Sequence, residues 1–110
     1  MSSAASPGDG DPPAGFVARP GSVIRQINII NQKGLHARAS AKFVQLVEKY
    51  DADVRVSRGS ETVGGTSIMG LMMLAAGIGT TITVEAVGAQ AAEVVAAIDA
   101  LVSSRFGEEE

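Results

Sequence analysis

The chain has 110 residues, 45% of them hydrophobic, which is enough for one domain with a compact core. It has no cysteine and one histidine, which excludes disulfides and thiolate metal sites and argues against structural zinc, so no cofactor is expected. The net charge of −3 is carried by the ends: Glu108, Glu109 and Glu110 close the chain, Asp9 and Asp11 lie near its start, and between Val23 and Phe106 eight basic residues stand against seven acidic ones. A nearly neutral body with one Tyr, three Phe and no Trp lacks the basic patch and stacking platforms of a nucleic-acid binder. No apolar run approaches the roughly 20 residues that span a bilayer, and the first residues lack the charged and apolar regions of a signal peptide. A soluble, cytoplasmic protein is expected.

All four prolines (Pro7, Pro12, Pro13, Pro20) fall among Gly, Ser and Ala before Ser22. Such a composition cannot bury a core. It predicts a disordered, dispensable leader over 1–22, a folded domain over 23–106 and an acidic tail over 107–110. Ile24 to Ile30 is β-branched and roughly alternating, a first strand. Gly34 breaks it. Ala39, Phe43, Leu46, Val47 and Tyr50 then recur at helical spacing, predicting a helix from about His36 or Ala37 to Tyr50. Val54 to Arg58 alternates as a second strand, and Gly59-Ser60 turns into a short third strand over Glu61 to Gly64. Ser67 opens a short helix ended by Ala75, Ala76 and Gly77. Thr80 to Val87 is the fourth strand, with Ile82, Val84 and Ala86 on one face. Ala91, Val94, Val95, Ile98, Leu101 and Val102 define a last helix ending near Phe106. The order β-α-β-β-α-β-α predicts one sheet with helices on a single face. From pattern alone the default arrangement is a ferredoxin-like split βαβ sandwich.

The single His36 sits at the strand-to-helix junction, in Asn31-Gln32-Lys33-Gly34-Leu35-His36-Ala37-Arg38, with no carboxylate from Asn31 to Val47. Imidazole changes charge near neutral pH and can act as a covalent nucleophile. A helix N-terminus offers unpaired N–H groups and a partial positive charge that suit phosphate-like anions. Arg38 can bring a planar fork of donors to phosphate oxygens, and Lys33 and Lys42 add positive field. No second His, Cys or carboxylate is close in sequence, and no GxxxxGK[ST] loop is present. The residues read as a carrier of a phosphoryl group rather than an autonomous enzyme.

Gly34-Leu35-His36-Ala37-Arg38 resembles the GLHAR motif of the HPr family, histidine-containing phosphocarriers of the bacterial phosphoenolpyruvate–sugar phosphotransferase system. Ser67-Ile68-Met69-Gly70-Leu71 resembles the family's regulatory-serine motif at the start of its second helix. Motif spacing and element order match as well, over roughly Ile24 to Phe106. The resemblance implies an α+β open-faced β-sandwich, a four-stranded antiparallel sheet with three helices on one face. It implies that His36 accepts a phosphoryl group on Nδ1 from Enzyme I and passes it to IIA proteins, with Arg38 neutralising the phosphoryl charge. It also implies phosphorylation of Ser67 by an HPr kinase/phosphorylase. The family's usual proline after the arginine is replaced by Ala39, and the usual lysine before the serine by Thr66.

Ser67 is a good helix cap by residue type. The helix it opens is apolar nearly all round, more than one core face absorbs. Ile68, Met69 and Met72 are therefore expected as exposed partner contacts, with Leu71 and Leu74 in the core. A monomer is expected. The alternative is a regulatory binding protein of the nitrogen-branch type, signalling through its phosphorylation state.

Overall fold

Alternating β-branched residues present one apolar face to the helices and one polar face to the opposite side. The computed structural model describes residues 18–108. Residues 1–17 of the predicted leader, and Glu109 and Glu110 of the tail, lie outside the described residues. Four strands, β1 (Val23–Asn28), β2 (Asp53–Arg58), β3 (Glu61–Gly64) and β4 (Thr81–Val87), form one sheet in the order β1-β4-β2-β3. Every pairing is antiparallel. Three helices, α1 (Ala37–Val47), α2 (Ile68–Met73) and α3 (Ala91–Ser103), alternate with the strands, giving the α+β open-faced sandwich. The split βαβ unit of that pattern is present: β1 and β2 both run antiparallel to β4, so they are parallel to each other, joined through α1 and separated by β4.

Ile27, Val54, Val56, Ile82, Val84 and Ala86 line the buried side of the sheet, in register across β1, β4 and β2. Phe43 and Val47 of α1, Leu71 of α2 and Val94, Val95, Ile98 and Val102 of α3 complete the core.

The element ends differ from the periodicity. α1 stops at Val47, not Tyr50, because Lys49 and Tyr50 bond to the carbonyls of Leu46 and Val47 at 3.1 Å, the tighter i−3 pattern. β1 ends at Asn28, though Ile29 stays attached through Thr80 (2.8 Å) and Gly79 (2.8 Å). α2 ends at Met73, and of the expected terminators Ala75 takes the left-handed conformation (φ 53). α3 ends at Ser103, and a 3-10 turn over Arg105–Gly107 folds the chain back so that Phe106 is buried.

One charged side chain lies inside the polar face. Glu85 on β4 has 0% exposure. Its carboxylate accepts from the Arg19 backbone N–H at 2.5 Å, Arg19 Nε at 2.9 Å and Arg55 Nε at 2.6 Å. Arg19 also pairs with Asp53. The packed chain thus reaches back to Arg19, before the boundary near Ser22. Burial alone would raise the Glu85 carboxyl, but the Arg19 N–H and the two guanidinium groups outweigh it and hold the group below its usual range. A lowered folded value stabilises the protein above the ordinary carboxylate range, and that contribution is lost as pH falls through the lowered value. Glu85→Gln is accordingly expected to cost about 2 kcal/mol at pH 7. It should also flatten the loss of stability below about pH 4, as read by urea denaturation across pH.

Candidate functional site

The loop between β1 and α1 is closed by two residues. Asn31 is fully buried, its Nδ2 donates to the Gly34 carbonyl at 2.9 Å, and the Gly34 N–H donates back to the Asn31 carbonyl at 3.2 Å. Gly34 takes the left-handed conformation (φ +63), where a Cβ would lie 2.3 Å from the Ala76 carbonyl oxygen. Only glycine permits that approach without strain. The next residue, Leu35, donates to the same Ala76 carbonyl at 3.0 Å, which seats the α1 entrance against the loop after α2.

His36 is the N-cap of α1, with extended backbone (φ −74, ψ −178), and its carbonyl accepts from the Ser40 N–H at 2.8 Å. Its side chain makes no capping bond and is 26% exposed. The N–H groups of Ala37, Arg38 and Ala39 are surplus to the helix, and its first turn holds no acidic residue. His36 therefore stands at a positively poled helix end. An open depression of about 580 Å³ lies over it, lined by Lys33, Arg38, Lys42, Ala37, Gly107 and Glu108 among others. Arg38 is exposed on this rim.

Among the described residues, one carboxylate enters the depression. Glu108 Oε2 contacts His36 Nε2, and Glu108 Oε1 accepts from Asn31 Nδ2 at 3.2 Å. Burial pushes the Glu108 carboxyl up, but the hydrogen bonds from His36 and Asn31 and the charges of His36 and Lys33 prevail and hold it below the usual range. Sequence reasoning placed Glu108 in a tail outside the domain; its partners lie more than seventy residues away and leave no local signal. Asn31 was also missed, although an Asn three residues before a Gly is ordinary turn chemistry.

Ser67 is exposed at the N-cap of α2, where its Oγ accepts from the Gly70 N–H at 3.0 Å. Ile68, Met69 and Met72 are exposed, Met69 to 69%, while Leu71 and Leu74 are buried. Met73, 70% exposed, joins them and was not singled out from the sequence. A second depression, lined by Leu35, His36 and Ala75 to Gly77, connects the imidazole to the end of α2. The structure thus places the C-terminal end of α2 beside His36 and leaves Ser67 at the opposite end.

A nucleophilic imidazole among cations at a helix N-terminus, on an open-faced α+β sandwich, is the equipment of a small phosphoryl carrier. The comparisons with known proteins specify the class. The family model PTS-HPr, described as the PTS HPr component phosphorylation site, matches residues 23–104. Phosphocarrier protein HPr of Cupriavidus necator is 51% identical over 86 residues, 78% of this chain and 97% of the relative. Phosphocarrier protein NPr of Shewanella violacea is 40% identical over 84 residues, 76% of this chain and 92% of the relative. The crystal structure of HPr from Thermoanaerobacter tengcongensis superposes with a TM-score of 0.76 at 36% identity, covering 80% of this chain and 99% of that one. The chain belongs to the HPr family of phosphocarrier proteins of the phosphotransferase system.

Proposed function

We propose that the chain accepts a phosphoryl group on His36 from phosphorylated Enzyme I and delivers it to IIA proteins. The observation that carries this reading is the seat of His36: an N-cap imidazole beside unused helix N–H groups, with Lys33, Arg38 and Lys42 around it. The nucleophile forms the N–P bond, and the cations and N–H groups hold the phosphoryl oxygens. Arg38 is the planar donor in this scheme. No nucleotide chemistry is required of the chain itself, so it carries and does not catalyse. It acts in the cytoplasm as a monomer. The experiment that tests the reading is a relay: labelled phosphoenolpyruvate, Enzyme I, this chain and a IIA protein, with label reaching IIA only when the chain is present. Label on IIA without the chain, or none with it, would contradict the proposal.

Ser67 is the regulatory site in this reading, phosphorylated by an HPr kinase/phosphorylase. A phosphate there adds about two negative charges beside the partner-facing helix while sitting on a helix N-terminus, so it impairs docking more than folding. Domain limits follow the same reading, with a leader that is dispensable except for the Arg19 anchor and a body that runs past Phe106 to Glu108.

The exposed apolar face of α2 is the surface for Enzyme I and IIA. Met69 is the most exposed of the predicted contacts, and flexible thioethers suit a surface that meets several partners. Met69→Glu is expected to slow uptake from Enzyme I by about tenfold, with a stability change within about 0.5 kcal/mol. Stopped-flow transfer and thermal melting measure the two effects separately.

The likeness to NPr as well as HPr proteins supports a second reading. In it the chain is a regulatory binding protein of the nitrogen-branch type, and the phosphorylation state of His36 or Ser67 is the signal.

A further inference from the structure

Glu108 is held too deliberately for a loose tail. Arg105 (φ 57), Phe106 (φ 56) and Gly107 (φ 73) are all left-handed and reverse the chain after α3. Buried Phe106 pins the turn, and Lys42 Nζ donates to its carbonyl at 2.5 Å. The N–H groups of Gly107 and Glu108 donate to Ser104 and Arg105 at 3.0 Å. The Glu108 side chain is 14% exposed, with one oxygen on Asn31 and the other on His36 Nε2.

We infer that Glu108 is a positioning residue for His36, fixing the ring with its proton on Nε2 so that Nδ1 is the nucleophile. This rests on the phosphocarrier reading above. A carboxylate only accepts, so the bonded ring nitrogen carries the proton and the neutral ring has its lone pair on Nδ1. The His36 side chain makes no capping bond to its own helix that would draw on that pair. In uptake, Nδ1 forms the bond to phosphorus. The bond from phosphorus to the donor protein's leaving atom breaks, with its electron pair remaining on that atom. The ring, now an N-phosphorylated imidazolium, keeps its Nε2 proton, and Glu108 is the counter-ion to the charge that appears there. In delivery the acceptor bonds to phosphorus, the N–P pair returns to Nδ1, and the ring is neutral again. The division of labour follows: Lys33, Arg38 and Lys42 serve the phosphoryl oxygens, and Glu108 serves the ring. A carboxylate orienting an imidazole through its second nitrogen is a known way to set tautomer and stabilise an imidazolium.

The test uses the full chain and its Glu108→Ala and Glu108→Gln variants. In wild type at neutral pH, the His36 Nε2 proton should give a downfield NMR signal protected from exchange with water. Glu108→Ala should lose that signal, and its uptake rate from phosphorylated Enzyme I should fall about tenfold. Glu108→Gln keeps an acceptor without the charge, so it should retain the proton signal and recover part of the rate. A protected signal in Glu108→Ala would overturn the inference, as would an uptake rate in that variant unchanged or raised. Wild type that takes no phosphoryl group at all would overturn the carrier reading and this role with it. The proton signal reports the Glu108–His36 contact in either case.

Discussion

Replacing His36 with alanine is expected to abolish phosphoryl uptake and leave the domain folded. The nucleophilic imidazole is lost: Lys33, Arg38 and Lys42 around the depression are cations that hold oxygens, and the Glu108 carboxylate is engaged by Asn31. The fold loses little, because the imidazole makes no capping bond and the cap's carbonyl bond to Ser40 belongs to the backbone. A stability change within about 1 kcal/mol is expected, a shift of several degrees at most in a domain of this size. Radiolabel uptake and thermal melting check the two halves independently. Uptake in the alanine variant equal to wild type would place the acceptor elsewhere, with Ser67 the next residue to examine.

Gly34→Ala is expected to be the most damaging single-methyl change near the site. The added Cβ meets the Ala76 carbonyl oxygen at 2.3 Å and Gly77 Cα at 2.8 Å, both backbone atoms that cannot rotate aside. Left-handed strain contributes about 1–2 kcal/mol and the overpacking about 1–3 more, so a loss of about 3 kcal/mol is expected. Gly59 provides the internal control. It has nearly the same φ (+62) but nothing within 4 Å of its added Cβ, so Gly59→Ala carries the strain alone. The difference between the two variants in urea denaturation isolates the clash. Gly34→Ala should also slow phosphoryl uptake well below its melting temperature, because relieving the clash moves Leu35 off the Ala76 carbonyl and shifts the His36 seat. Equal stabilities for the two variants would show that the loop after α2 yields freely.

The elements were legible where one period dominated. The β2–β3 hairpin follows from alternation and Gly59-Ser60, and the start of α1 from Gly34 and the spacing of Ala39 and Phe43. The exposed Ile68, Met69 and Met72 were visible because a six-residue helix apolar on all sides cannot bury every side chain. Ends were less legible: Tyr50 keeps the apolar period of α1 but sits in the tighter turn beyond it.

Long-range placement was not legible. Strand order depends on which edge of β4 accepts β1 and which accepts β2, and the alternation along β4 is the same for either choice. Glu85 alternates as an outward residue of β4, and its burial comes from Arg19, brought from before the first strand. Within the site, the GLHAR segment identifies His36 and Arg38 from local sequence. The Asn31–Glu108–His36 contact requires knowing that α3 ends early and that the chain then doubles back.

The measurement that tests the central claim most directly is intact mass after incubation with Enzyme I and phosphoenolpyruvate, run beside the His36→Ala variant. One added phosphoryl group, lost on acid treatment and absent from the variant, is the predicted result. No adduct with a verified cognate Enzyme I, or an acid-stable adduct that persists in His36→Ala, would contradict a phosphohistidine carrier.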